Sequence, residues 1–165
     1  MQHLKSKAER VKLLLMDCDG VMTDGRLYFS SEGEAMKVFH ARDGQGISDW
    51  HRAGFKSGVI SGRGAEGILR LRCDELGMEF LQTNSKDKAL DLKQILDLTG
   101  LSSDEVAFIG DDRGDIDILK AVGFPVAVAD AINELDAIAI FKTTAAGGKG
   151  AIRELVDLLL DLKGI

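Results

Sequence analysis

The chain has 165 residues, 45% of them hydrophobic, enough for one domain with a sizeable core and short for two. Its formal charge is −6 with the basic residues scattered, so neither nucleic acid nor an anionic membrane surface is an expected partner. The two cysteines, Cys18 and Cys73, suggest no disulfide framework or zinc site and fit a reducing cytoplasm.

Residues 1–10 are polar, with Lys5, Lys7 and Arg10 and no long apolar run behind them, so neither a signal peptide nor a membrane span is read there. The first apolar run, 11–16, reads as a strand and ends in Asp17-Cys18-Asp19-Gly20-Val21-Met22-Thr23-Asp24-Gly25. Side chains alternate along an extended strand, so Asp17 and Asp19 share one side while Cys18 turns away. Two carboxylates so placed can divide labour, one attacking or binding a metal and the other moving a proton. By itself, such a pair reads more readily as two turn-forming aspartates.

Residues 26–30 and 35–40 flank Ser31-Glu32-Gly33-Glu34 and read as a β-hairpin, a flap over about 26–40. Beyond it, strands are expected over 56–60, 78–81, 106–109, 126–128 and 137–141. Helices are expected over 46–53, 65–76, 86–98, 115–122 and 150–162. This alternation predicts an α/β fold, a doubly wound, Rossmann-like parallel sheet with helices on both faces. Trp50 and Phe55 are expected to pack helix against sheet, and neither His40 nor His51 has a metal-like partner spacing.

Three further strand exits carry polar groups. Strand 56–60 runs into Ser61-Gly62-Arg63-Gly64 before a helix, where a hydroxyl, backbone N–H groups and a guanidinium suit a phosphate oxygen; a helix cap beside a solvated arginine is the plainer alternative. Lys86 and Lys88 stand at the start of the next helix, where a positive charge opposes the dipole. Strand 106–109 runs into Gly110-Asp111-Asp112-Arg113-Gly114-Asp115, whose crowded aspartates are unfavourable together unless a cation or solvent separates them. Oxygen donors with no histidine or cysteine set point to Mg²⁺ rather than zinc; a solvated acidic helix start is the alternative. Open α/β sheets bind ligands outside the carboxyl ends of their strands, so all four exits converge on one crevice.

In order and content these segments resemble the haloacid dehalogenase superfamily of aspartyl-phosphate phosphotransferases. The resemblance rests on Asp17-Cys18-Asp19-Gly20 with Thr23, then Ser61, Lys88 and Gly110-Asp111-Asp112. It implies Asp17 as nucleophile, Asp19 as acid/base, and Ser61 and Lys88, preferred to Lys86, as holders of the phosphoryl group. It implies Mg²⁺ on Asp17, Asp111 and the backbone carbonyl of Asp19, with Asp112 supporting. The hairpin is the only insert, so no cap domain is expected.

The stretch Phe39-His40-Ala41-Arg42-Asp43-Gly44-Gln45-Gly46-Ile47, then Val128-Ala129-Asp130-Ala131 and Gly147-Gly148-Lys149-Gly150-Ala151-Ile152-Arg153-Glu154, is similar to the capless 3-deoxy-D-manno-octulosonate 8-phosphate phosphatases. That resemblance implies a cytoplasmic homotetramer of lipopolysaccharide synthesis in which a neighbouring subunit covers an otherwise open site. Substrate contacts are implied for Arg63 and Arg42, facing the carboxylate, and for Thr23, Gly62 and Gly148. Lys149 stands where the family commonly has arginine, and a long tail past Ile165, as some relatives have, is expected to be short or absent. Rival readings are a nonulosonate 9-phosphate phosphatase, a non-catalytic oligomerising domain, and a receiver switched by aspartyl phosphate. A receiver carries its phosphorylated aspartate after a later strand, where this chain has Ser61.

Overall fold

The computed structural model describes residues 2–165. In chain order it contains α1 (Gln2–Arg10), β1 (Leu13–Met16), β2 (Tyr28–Ser30), β3 (Gly33–Met36), α2 (Ala41–Arg52), β4 (Lys56–Ile60), α3 (Glu66–Leu76) and β5 (Phe80–Gln82). There follow α4 (Lys88–Thr99), β6 (Val106–Gly110), α5 (Ile116–Ala121), β7 (Phe124–Ala127), β8 (Phe141–Lys142) and α6 (Ala151–Lys163). Six strands form one parallel sheet in the order β5-β4-β1-β6-β7-β8, and β2 and β3 pair antiparallel apart from it. The expected α/β fold, a parallel Rossmann-like sheet with a small hairpin and no cap, is the observed one. Among the described residues no helix is long and apolar enough to cross a membrane.

Leu13, Leu14, Leu15 and Met16 of β1 are fully buried, which is why this strand reads as a continuous apolar run: it lies at the sheet centre. Its register sets the site. Met16 stands opposite Val59 of β4 on one side and Ile109 of β6 on the other. All three chains therefore leave the sheet within about a residue of each other, carrying Asp17, Ser61 and Asp111. From β5 the chain returns to the far side of β1, so the strand order reverses at the β1–β6 boundary, where such sheets open a crevice.

The loop after β1 is held on three sides. Asp17 N–H donates to Ile109 O at 3.1 Å, and Thr23 N–H closes a wide helical turn on Cys18 O at 3.1 Å. Gly20 breaks that turn at φ +96°, and a Cβ there would stand 2.0 Å from Asp111 Oδ2; only glycine allows the two loops to approach so closely. From the third side, Gly148 N–H donates to Val21 O (2.8 Å), and the loop of Gly148 is itself held by Gly147 N–H on Asp130 Oδ1 (2.9 Å).

Four local differences from the sequence expectation have physical causes. The segment 137–141 is not a strand: Asn133–Ala137 forms a tight helical turn, and β8 is only Phe141–Lys142. Ile138 and Ala139 donate their N–H groups back to Leu135 O, leaving Ile140 to reach Pro125 O on β7. Helix α2 starts at Ala41, five residues before the apolar spacing shows it, because Gly44 and Gly46 stand where α2 meets its neighbours: a Cβ there would lie 2.6 Å from the Arg72 guanidinium and 3.1 Å from Arg153 Cα. Asp43 secures this contact by accepting Arg153 N–H at 2.9 Å, inside the first turn of α6. The hairpin turns at Ser31-Glu32, two residues shorter than the four-residue turn read, and its pairing ends at Met36, after which Lys37 turns inward while Val38 stays exposed. Finally, α1 lies within the polar lead, docked by buried Ala8 and by Lys7 donating to Gly123 O at 3.0 Å.

A Cβ on Gly147 would meet Gly20 O at 1.7 Å, against backbone that is itself pinned. Gly147→Ala is expected to cost about 1–3 kcal/mol and lower the melting temperature by several degrees, read by calorimetry. An unchanged melting temperature would mean that the two loops are not mutually braced.

Candidate active site

Three carboxylates and one ammonium meet at the end of β1 and β6. Lys88 Nζ lies 2.8 Å from Asp17 Oδ1 and 2.6 Å from Asp115 Oδ1, and sits over the Phe108 ring at 5.7 Å. Asp17, Asp111 and Asp115 each offer an oxygen within 4.8 Å of the others. Asp115 is the member to which sequence reasoning gave no role, although it stands in the crowded run after β6. Its Oδ2 accepts Asp111 N–H at 2.9 Å while its Oδ1 holds Lys88, so it ties the β6 loop to the lysine.

The electrostatics follow from this crowding. Burial, then the charges of Asp17 and Asp115, push the Asp111 carboxyl up to about 9. Burial and Asp115 likewise raise Asp17, against the opposing pull of Lys88. Lys88 is itself desolvated, yet its two carboxylate partners raise it above its ordinary value and keep it charged. One ammonium thus faces three acids, and Asp111 Oδ1 is buried without a hydrogen-bond partner among the described residues. Hard oxygen donors, excess negative charge and an orphaned carboxylate oxygen fit a divalent cation such as Mg²⁺.

The remaining predicted residues fall in several places. Asp19, Ser61, Gly62 and Arg63 line the same cleft, about 250 Å³, as Asp17 and Lys88. Asp112 borders it too, but its Oδ1 accepts Arg113 N–H at 2.7 Å, capping the turn. Ser61 is buried at the end of β4, its hydroxyl accepting Arg63 N–H at 3.3 Å. The Thr23 hydroxyl accepts Gly20 N–H at 3.3 Å and Gly25 N–H at 3.2 Å, closing the loop on itself. Gly148 lies against the backbone of Thr23 and Asp24, and Arg42 is exposed at the start of α2. Of the two candidate lysines, Lys88 is the one on Asp17; Lys86 is exposed.

Lys37 and Glu34 escaped the sequence reading altogether. They follow the turn of the hairpin with buried side chains: Lys37 Nζ reaches Asp19 Oδ1 at 2.6 Å, and Glu34 Oε1 holds the same ammonium at 2.6 Å. The available signal was a glutamate and a lysine three residues apart in a segment otherwise read as an exposed flap. A roomier cleft, about 630 Å³, opens at the amino end of the sheet around Phe55 and Leu101. Its charges pair off, Lys56 with Glu79 and Lys12 with Glu105, and leave no convergent reactive group.

The family profile described as haloacid dehalogenase-like hydrolase matches residues 45–155. The 3-deoxy-D-manno-octulosonate 8-phosphate phosphatase of Salmonella typhi is 38% identical over 162 residues, 98% of this chain and 86% of the relative. A crystal structure of the Moraxella catarrhalis 3-deoxy-D-manno-octulosonate 8-phosphate phosphatase, in complex with magnesium ion, phosphate ion and KDO, superposes with a TM-score of 0.95 at 31% identity, covering 99% of this chain and 94% of that one. A probable phosphatase of the YrbI family from Pseudomonas syringae does so with a TM-score of 0.95 at 38% identity, covering 99% and 93%. With a parallel sheet that ends in this carboxylate and lysine cluster, and with relatives alike over nearly their whole length, the chain belongs to the 3-deoxy-D-manno-octulosonate 8-phosphate phosphatase family of haloacid dehalogenase-like hydrolases.

Proposed function

We propose that the protein is a Mg²⁺-dependent phosphatase that hydrolyses 3-deoxy-D-manno-octulosonate 8-phosphate to the free sugar acid and phosphate through an aspartyl-phosphate. The observation that carries this reading is the Asp17 carboxylate, buried at a strand exit with Lys88 Nζ 2.8 Å away and Asp19 lining the same cleft. Its nearest rival is the same chemistry on a nonulosonate 9-phosphate. A non-catalytic role leaves the cost of burying Asp17, Asp111 and Asp115 together without a purpose.

In the proposed reaction an Asp17 oxygen attacks phosphorus in line with the scissile P–O bond. As that bond breaks, Asp19 gives its proton to the departing alkoxide, and the sugar acid leaves as an alcohol. Asp19, now a carboxylate, takes a proton from water; the hydroxide oxygen bonds to phosphorus and the Asp17–phosphorus bond breaks. Lys88 and the Ser61 hydroxyl face the phosphoryl oxygens throughout. Asp17, Asp111 and the Asp19 backbone carbonyl would hold Mg²⁺, with Asp112 beside them. When bound it supplies positive charge against the phosphoryl oxygens. Arg63 and Arg42 are two-pronged donors suited to the substrate carboxylate, with Thr23, Gly62 and Gly148 shaping the rim.

The working form is proposed as a homotetramer in which a neighbouring subunit covers the cleft. The hairpin supports this, since Leu27, Phe29 (62% exposed), Met36 (49%) and Val38 present an apolar face to solvent. A cover of that kind would also exclude water from a site left open by the lack of a cap domain.

Phosphate release from the two sugar-acid phosphates with Mg²⁺ tests the substrate; faster turnover of the eight-carbon ester is expected, and poor rates on both would refute it. Asp17→Asn is nearly isosteric and should abolish turnover while preserving the melting temperature, whereas appreciable residual hydrolysis would remove Asp17 from its role. Met36→Asp should yield lighter species by analytical ultracentrifugation and lower activity on the sugar-acid phosphate more than on p-nitrophenyl phosphate. Parallel loss would count against subunit covering.

The pH dependence has a definite sign. With Asp111 raised from 3.8 to about 9, the folded protein holds more protons than the unfolded chain across that window, so stability without metal falls as pH rises through it. The melting temperature of chelator-treated protein should drop between pH 5 and pH 9, and Mg²⁺ should abolish most of that drop. A metal-free protein that gains stability over the same range would contradict the crowded-carboxylate site.

A further inference from the structure

The hairpin carries a second ionic cluster into the cleft, separate from the one around Lys88. Lys37, just past β3, is 1% exposed at its side chain and donates to Asp19 Oδ1 and Glu34 Oε1, each at 2.6 Å. Arg63 closes the group from the β4 loop: its Nε lies 3.9 Å from Asp19 Oδ2 and its NH2 nitrogen 3.6 Å from Glu34 Oε2, with the guanidinium over the Phe29 ring at 5.7 Å. Two cations thus balance two anions. The two oxygens of Asp19 are not equivalent in this setting. Oδ1 takes the ammonium, whereas Oδ2 is buried and accepts no hydrogen bond among the described residues.

We propose that Lys37 is a positioning residue for the reaction: by gripping Oδ1, it leaves Oδ2 as the oxygen of Asp19 that trades a proton with the leaving group. The reason lies in hydrogen-bond bookkeeping. Ammonium and guanidinium both have only donors, but Lys37 Nζ stands 2.6 Å from Oδ1, where a proton would face its N–H, whereas Arg63 Nε stands 3.9 Å from Oδ2, beyond hydrogen-bond distance, so the acid form of Asp19 carries its O–H on Oδ2. The grip also removes rotation of the carboxyl, so that the proton is presented in one direction. Glu34 holds the other side of Lys37, and both residues belong to the hairpin segment. The flap therefore orients the acid as well as offering an apolar outer face. A buried lysine is costly unless so paired, which gives the ion pair a use beyond stability.

This inference rests on the phosphatase reading, and the test separates the two. General acid help matters most when the leaving group is a poor one, so kcat/KM, which reports formation of the aspartyl-phosphate, is compared for an alkyl phosphate, the sugar-acid 8-phosphate, and for p-nitrophenyl phosphate, whose leaving group departs unaided. In Lys37→Met with saturating Mg²⁺, kcat/KM for the alkyl ester is expected to fall about 10²-fold and that for the aryl ester far less. Lys37→Arg, which keeps a donor in a different geometry, should show a smaller bias of the same sign, and it decides the matter if Lys37→Met does not fold. Equal losses on both esters, in whichever variant folds, would mean a merely structural lysine and would overturn the proposal while leaving the phosphatase intact. Wild-type protein inactive on both esters would overturn the phosphatase reading and this inference with it.

Discussion

Everything in the site depends on the Lys88 ammonium held between Asp17 and Asp115 where a parallel sheet ends. Three carboxylates in a space a few ångströms across repel one another, and burial removes the water that would screen them. One lysine offsets part of this. The remainder is stored as raised carboxyls on Asp17 and Asp111 and as an unpartnered oxygen on Asp111. A site so unbalanced is built to receive positive charge, and then a phosphoryl group drawn by it.

Such a cluster survives because the surrounding scaffold over-determines it. Gly20 and Gly147 remove side chains where three backbones touch, Thr23 closes its own loop, and Asp43 pins the first turn of α6 to α2. These are contacts of backbone and short polar groups, which tolerate little displacement. The fully buried apolar strand β1 and its register with β4 and β6 then deliver Asp17, Ser61 and Asp111 at one level. Residues that read as substrate contacts by family likeness, Thr23 and Gly148 among them, are engaged in this bracing.

The hairpin combines exposed apolar side chains with a buried ion-pair cluster. Leu27, Phe29, Met36 and Val38 are exposed, while Lys37 is buried on Asp19 with Glu34 on its other side.

The positions of Asp17, Ser61 and Asp111 at strand exits were legible because each closely follows an apolar run, and a parallel sheet must end such runs on one edge, whereas Lys88 was preferred to Lys86 only through family likeness. The strand alternation, the hairpin and the missing cap were legible for the same reason: residue period and loop length are local properties. What the chain order could not show was pairing across the fold. The start of α2 was hidden by glycines whose value lies in contacts with Arg72 and Arg153, the 137–141 segment by turn bonds to Leu135, and α1 by docking through lysine stems. Asp115 looked like one acid among several until Lys88 stood beside it, and Lys37 looked like a flap residue until Asp19 met it. The sequence by itself determined which strands form and which acids stand at their ends. Only the tertiary structure decided which charges stand within ion-pair distance of one another, because such pairs join residues far apart along the chain.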